Sequence, residues 1–210
     1  RIYILNNNFK KYFNNYDFHN LYKELLNFCT VDLSAFYFDI RKDNLYCDPI
    51  DSNKRKSTIL TLNIILNALL KWFAPILSFT TEEIFRLLFK DQKSIHLENF
   101  LEFPEKFKND KLSEDWVELI KIRNICNISI EEKRASKEIG SSLEADLNIQ
   151  LSQKLKGLTE TIDFSELCIT SKAKVSYKDG IETSAITTKA KGSKCPVCWK
   201  INDGPCPRHS

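Results

Sequence analysis

A chain of 210 residues, 42% hydrophobic and 28% charged, is long enough for one or two packed domains and has the composition of an ordinary globular protein. No stretch reaches eighteen apolar residues; the best candidate, residues 64–77, is interrupted by Asn67, Lys71 and Pro75, which excludes a membrane-spanning helix and favours a buried one. A net charge of +3 is too small to argue for nucleic-acid binding by itself.

Residues 17–46 are predicted to be helical, because Leu21, Leu25 and Phe28 recur at steps of four and three and Leu33, Phe36, Tyr37 and Ile40 continue the rhythm. They form either two short helices meeting near Val31 and Asp32 or a single bent one. Asp48, which precedes Pro49, ends the section, since the residue before proline is pushed out of the helical region. The strongest helical signal covers residues 53–74. It sets Ile59, Leu62, Leu66, Leu69 and Phe73 on one stripe with Ile65, Leu70 and Trp72 beside it, a face suited to the centre of a bundle. Pro75 closes it. The next helix is predicted to start at Thr80, whose hydroxyl caps the first amides while Glu83 completes a capping box, and to carry Ile84, Phe85, Leu87, Leu88 and Phe89 into the core.

Residues 91–112 are polar, rich in Lys and Asn and contain Pro104, and read as a surface loop. A long helix follows over residues 113–139, with Trp116, Leu119, Ile122, Cys126 and Ile130 on its buried side. Its first half is expected to be buried and its second, with Glu131, Glu132, Lys133 and Arg134, solvated. Gly140 suits the left-handed position just past its end. The period then changes to two: Leu143, Ala145, Leu147, Ile149 and Leu151 alternate with Glu144, Asp146, Asn148 and Gln150, a half-buried strand. A short helix over residues 151–160, a strand near residues 167–169 and a hairpin across Lys178, Asp179 and Gly180 complete a small α+β unit. The predicted fold is mainly α: a helical bundle over residues 1–138, a small α+β domain over 139–191 and a short zinc knob over 192–210.

That knob carries the clearest chemistry. Cys195 and Cys198 are separated by two residues, as are Cys206 and His209, and seven residues connect the pairs. One tight turn aims both side chains of each pair at a single ion, so the four make a Cys3His site. Four protein ligands leave no open position for water or substrate, so the zinc expected here is structural. The other cysteines, Cys29, Cys47, Cys126 and Cys168, lie at spacings that suggest no disulfide framework and read as small buried residues.

Charge is unevenly placed. From Ser171 onward Lys172, Lys174, Lys178, Lys189, Lys191, Lys194, Lys200 and Arg208 face only Asp179, Glu182 and Asp203, so the zinc end is the basic end. Lys194, Lys200 and Arg208 read as phosphate contacts or as a solvated basic surface. Trp199, beside a ligand, either stacks on an unpaired base or lids the small metal core. Arg41, Lys42 and Asn44 follow an apolar helix face and either reach a phosphate or loop or complement the helix dipole. His19 and His96 have no partner pattern, and no catalytic triad, paired carboxylate or phosphate-cradling glycine loop can be assembled. The N-terminus lacks a signal-peptide layout, which predicts a cytoplasmic protein, and the absence of Met predicts a piece of a longer one.

Several stretches resemble the C-terminal portion of bacterial isoleucyl-tRNA synthetases. They are VDLSAFYFDI from Val31, KDNLYC from Lys42, APILSFT from Ala74 with Glu82, Glu83 and Ile84, IGSSLEA from Ile139, and the Lys194-Cys195-Pro196 to Cys198-Trp199 corner. They occur in the family's order and span nearly the whole chain. The resemblance implies an anticodon-binding helical bundle, then a junction domain, then a zinc-binding appendage, together holding tRNA(Ile). It also implies a monomeric parent whose ATP-dependent activation and hydrolytic editing take place in upstream domains. Neither nucleotide-binding signature of such a catalytic domain occurs in these residues, so the chain alone is not expected to aminoacylate. It departs from the family in placing His209 where a fourth cysteine is usual and in its short connection between the ligand pairs. A general zinc-ribbon module that binds nucleic acid or protein outside translation is the rival reading.

Overall fold

A computed structural model describes residues 1–90 and 93–209. They form two compact units, Arg1–Asn109 and Asp110–Ser210. The long helix is thus grouped with the sheet that follows it, and this division cuts the chain elsewhere than the segments read from sequence.

Unit one is helical: α1 (Ile2–Asn14), α2 (Phe18–Asn27), a π-helical stretch (Phe28–Phe38), α3 (Asp39–Cys47), α4 (Asn53–Phe73) and α5 (Ser78–Leu88). Helix α1 was not foreseen, because Asn6, Asn7 and Asn8 mask its period. Leu5 and Phe9 nonetheless lie four apart and are fully buried. Asn6 is buried with them: its Oδ1 accepts the Trp72 indole N–H at 3.0 Å and its Nδ2 donates to the Leu101 carbonyl at 2.6 Å. The ring of Trp72 meets those of Phe9 and Phe28 edge-on at 4.8 and 6.0 Å. Leu21, Leu25, Leu33, Ile65 and Ala68 complete this core.

The two readings of residues 17–46 resolve into one continuous helical run whose middle is π-helical. Bonding from i to i+5 turns the chain less per residue, so Phe28 and Leu33, five apart, share the buried side. In α4 the buried positions are Thr58, Ile65, Ala68, Leu70 and Trp72, whereas Ile59 and Leu66 of the predicted stripe are 43% and 38% exposed. Helix α5 begins two residues before Thr80, without a side-chain cap. Thr81 and Phe85 on it are deeply buried; Phe89 is half-buried, and Ile84, Leu87 and Leu88 face outward.

Glu82, rather than Glu83, does the local tying. Its carboxylate accepts from Arg86 Nε at 2.6 Å, Ser94 Oγ at 2.8 Å and the Ile95 N–H at 3.0 Å, and Ile95 packs with Leu70, Ala74 and Phe85. The predicted loop over 91–112, whose first two residues lie outside the described ones, is therefore anchored where it can be followed. The hydrogen bond from Arg86 holds the Glu82 carboxyl down at about 2; desolvation opposes this, and the Ser94 and Ile95 donors add to it. Its folded pKa lies below the ordinary 4.5, so the stabilisation is present above about pH 4.5 and lost as pH falls through about 2. Urea unfolding between pH 5 and 2 is expected to show Glu82→Gln with a flatter acid-side loss of stability than the wild type. Parallel curves would show that the carboxylate contributes nothing.

In unit two α6 (Asp110–Ala135) buries Leu119, Ile122, Cys126 and Ile130, so burial starts only after an exposed first turn, leaves Trp116 half-buried and runs past the middle to a solvated last turn. Past its end Lys137, not Gly140, takes the left-handed conformation, at φ 59°. The predicted alternating strand is β1 (Ala145–Ser152). Two short helices, α7 (Lys156–Thr159) and α8 (Phe164–Leu167), lead to β2 (Lys172–Lys178) and β3 (Ser184–Lys189). Helix α8 replaces the strand expected near 167–169: Asp163 caps it, accepting the Ser165 and Glu166 N–H groups. The expected hairpin is absent too. The order is β2-β1-β3, with β1 parallel to β2 and antiparallel to β3, so the strands flanking Gly180 are separated by β1. Helix α6 docks on this sheet through Ser129, whose Oγ lies 2.9 Å from Thr187 Oγ1, and bridges to α8 through Arg123 Nε, which donates to the Leu167 carbonyl at 2.9 Å. A small ribbon, β4 (Ser193–Lys194) with β5 (Ile201–Asn202), completes the unit.

Candidate metal centre

The short ribbon β4–β5 frames the four predicted ligands. Gly192 enters it at φ 121°, where a Cβ would stand 2.0 Å from the Asn202 carbonyl oxygen, so the close approach requires glycine. The Cys195 N–H donates to the Lys200 carbonyl and the Trp199 N–H to the Cys195 carbonyl, folding residues 195–200 into a tight knuckle. A second turn, closed by the His209 N–H on the Cys206 carbonyl, brings up the other pair. The knob is tied to the sheet by Ser171, whose Oγ donates to the Leu143 carbonyl at 2.5 Å and accepts the Ile201 N–H at 2.6 Å. Lys172 pairs with Asp203 at 2.5 Å beside it.

Cys195, Cys198, Cys206 and His209 converge, with all ligand atoms within 4.8 Å of one another. Cys198 Sγ and Cys206 Sγ are 3.7 Å apart, and His209 Nδ1 lies 3.5 Å from Cys195 Sγ and 3.4 Å from Cys206 Sγ. Zinc bonds of about 2.3 Å to sulfur and about 2.0 Å to nitrogen give tetrahedral edges of about 3.8 and 3.5 Å, which these separations match. His209 stands at the distance from Cys195 and Cys206 that a fourth corner would require, across the seven-residue connection. Cys195 and Cys198 are buried and the other two are half-buried.

The thiols are electrostatically unequal. The Cys198 amide N–H directed at its sulfur, helped by that of Val197, holds Cys195 down at about 6, while desolvation pushes Cys198 up to about 11. For Cys206, desolvation acts upward and is outweighed by the Arg208 N–H and the His209 ring, leaving it lowered. Amide N–H groups aimed at sulfur favour thiolates, yet thiolates this close repel, a conflict that a bound dication removes. The donor set, the spacing and these N–H bonds fit a closed structural zinc site.

Around it, Trp199 adopts φ 65° and is 59% exposed, with Lys194 Nζ 5.5 Å from its ring centroid. Lys200 and Arg208 are half-buried on the same knob. Arg41, Lys42 and Asn44 belong to unit one. Asn44 is only 4% exposed; its amide donates to Asp48 at 3.0 Å and accepts from Arg41 at 3.5 Å, so it braces the end of α3. Lys42 is exposed and pairs with Asp39 at 2.7 Å. The outer face of the sheet brings together Asn148, Gln150, Lys174 and Lys178, which the sequence places only in an alternating strand and a basic stretch; their shared face depends on strand pairing and leaves no contiguous motif.

No helix among the described residues is long and apolar enough to cross a membrane. The family model of the anticodon-binding domain of tRNA ligase matches residues 1–149. The chain is 66% identical over 210 residues to the isoleucine-tRNA ligase of Pelagibacter ubique (strain HTCC1062), covering all of this chain and 23% of that protein. It is 38% identical over 201 residues to that of Rhodopseudomonas palustris and 39% identical over 198 residues to that of Agrobacterium fabrum, covering 89% of this chain and 20% of each relative. The chain thus spans about a quarter or less of the length of the curated relatives it matches.

Proposed function

The chain belongs to the family of anticodon-binding domains of tRNA ligases, and from that membership we propose that it is the tRNA(Ile)-holding part of an isoleucine-tRNA ligase. The observation that carries this reading is the 66% identity over every residue of the chain to a protein of that name. The helical region over 1–138 grips the anticodon arm, residues 139–191 form a junction, and residues 192–210 form an appendage held by zinc on Cys195, Cys198, Cys206 and His209. Zinc supplies folding energy to a segment too small for a core of its own. Lys194, Lys200 and Arg208 meet phosphates and the exposed Trp199 ring stacks on a loop base, with Arg41 and Lys42 as a second group of contacts. ATP-dependent activation and editing belong to the rest of a monomeric, cytoplasmic parent enzyme. This chain contributes position: docking the anticodon end orients the acceptor end, a use of remote binding energy.

Competition binding tests the reading. The zinc-loaded chain is expected to prefer tRNA(Ile) over other tRNAs by roughly tenfold or more, with affinity falling steeply as salt is raised. Equal affinity for all tRNAs at every salt concentration would overturn it.

A further inference from the structure

Ile59, Leu62 and Leu66 of α4 share one stripe with Leu69 and Phe73, and the stripe changes surroundings halfway along. Leu69 and Phe73 pack against the cluster that holds Leu5 and Phe9 of α1. Ile59 and Leu66 are exposed, and Leu62 is half-buried. An apolar stripe that is packed along one half and open along the other calls for a cause, and the cause lies in how far the neighbouring helices extend.

Contacts set that extent. Arg1 Nε pairs with Asp32 at 2.8 Å and the Asn8 amide donates to Glu24 at 3.2 Å, so α1 runs antiparallel to the continuous helical run over 18–47 and ends level with Asp32. The Phe28 and Trp72 rings meet, and Arg55 donates to the Asp48 carbonyl at 2.8 Å, so α4 is antiparallel to the same run over its whole length. Asp32 therefore stands level with about residue 68 of α4, since each helix advances about 1.5 Å per residue. Past that level α1 has ended, and the groove between residues 36–47 and 53–66 is open. Ile59, Leu62 and Leu66 lie there. Helix α1 also lacks the usual marks of a helix start: no side chain caps it and its first turn holds no acidic residue.

We propose that the groove between α3 and the first half of α4 seats an amphipathic helix from the part of the ligase outside this chain, continuing α1 in the N-terminal direction. From the level of residue 68 to Ile59 is about 13 Å, so two to three turns, roughly nine residues, cover the stripe. Extending the buried face of Ile2 and Leu5 backward puts apolar residues at the third and seventh positions before Arg1, about two and three turns from Leu5. The proposal rests on the reading of the chain as part of a longer tRNA ligase and adds how the bundle is joined to the remainder. A helix shared by both carries the position of a docked anticodon arm as one rigid element.

The test compares amide exchange over residues 57–67 in the zinc-loaded 210-residue chain and in the full-length ligase, each as wild type and as Ile59→Glu/Leu66→Glu. Exchange is expected to be about tenfold slower or more in the full-length enzyme. The two glutamates should erase that difference while leaving the urea midpoint of the 210-residue chain nearly unchanged, because both side chains are already exposed there. In the full-length enzyme a cysteine at the third position before Arg1 should cross-link under mild oxidation to Leu66→Cys and not to Ile64→Cys, which helical spacing puts on the opposite side of α4. Equal exchange in the two proteins, or slow exchange that survives the glutamates, overturns the proposal. So does a dimer of the 210-residue chain that the glutamates dissociate while the full-length enzyme is unaffected, which gives the groove to a second copy. Preference of the 210-residue chain for tRNA(Ile) is measured separately: if it holds while the exchange result fails, only the groove assignment falls.

Discussion

Replacing Cys206 with Ser is expected to release zinc and unfold residues 192–209 while the rest of unit two keeps its structure. Among the described residues the knob buries only Cys195, Cys198 and Ile201 within 193–209, far too little apolar surface to hold a segment that short. Metal ligation contributes on the order of 10 kcal/mol to such a segment, so losing one thiolate removes most of what orders it. The sheet does not depend on the ligands. Leu147, Ile149 and Leu151 pack on α6 and its neighbours, and the knob joins them through Ser171 and the Lys172–Asp203 pair. Zinc content, expected to fall from near one per chain to near zero, and amide exchange over residues 192–209 measure the effect. A chelator added to wild type should reproduce it. Unchanged amide protection without metal would show that the backbone hydrogen bonds suffice. In a full-length isoleucine-tRNA ligase the same substitution is expected to depress aminoacylation while sparing isoleucine-dependent pyrophosphate exchange, because only the first needs docked tRNA. Equal loss of both would contradict the positional role.

Trp72→Ala is expected to destabilise unit one by about 3–5 kcal/mol, a large part of a small domain's stability. The indole is 1% exposed, sits between Phe9 and Phe28, and donates to Asn6, which is itself 2% exposed. Truncation therefore opens a cavity and strands the Asn6 carbonyl oxygen together. The two costs can be separated. Trp72→Phe keeps most of the ring packing but leaves Asn6 Oδ1 buried without that donor, at about 1–3 kcal/mol. Urea midpoints of both variants, with amide exchange used to assign the loss to residues 1–109, decide it. A loss below about 1 kcal/mol for the alanine variant would mean that this cluster does not hold the bundle.

Legibility in the sequence followed the range of the interaction. The Cys195, Cys198, Cys206 and His209 cluster was readable because all four side chains lie within fifteen positions and their pairing is a matter of local turns. Helix α4 was readable as a helix but not in its orientation. Its positions 58, 65 and 72 and positions 59, 66 and 73 form neighbouring stripes, and the predicted one places Ile59 and Leu66 on the exposed side. Periodicity reports that an apolar face exists; the neighbouring helices select which part of it is buried. Helix α1 failed in the opposite way, since Asn6 counts as polar in any pattern and becomes a core residue only when Trp72 and Leu101 supply its partners. Alternation identified β1, yet the turn at Gly180 suggested a hairpin where β1 in fact lies between β2 and β3.

The sequence by itself determined the cluster of three cysteines and a histidine, the basic end of the chain, the helical character of its first half and the tRNA-ligase resemblance. These rest on residue identity and short spacing, which survive whatever the rest of the chain does. Only the tertiary structure decided that Trp199 is largely exposed with Lys194 beside its ring, that Asn44 is a brace and that Lys174 and Lys178 share an open face with Asn148 and Gln150. Each of those outcomes depends on contacts or strand pairings between segments distant along the chain or on the local packing that they impose. Such pairings are chosen by the free energy of burying the whole surface, which no local pattern encodes.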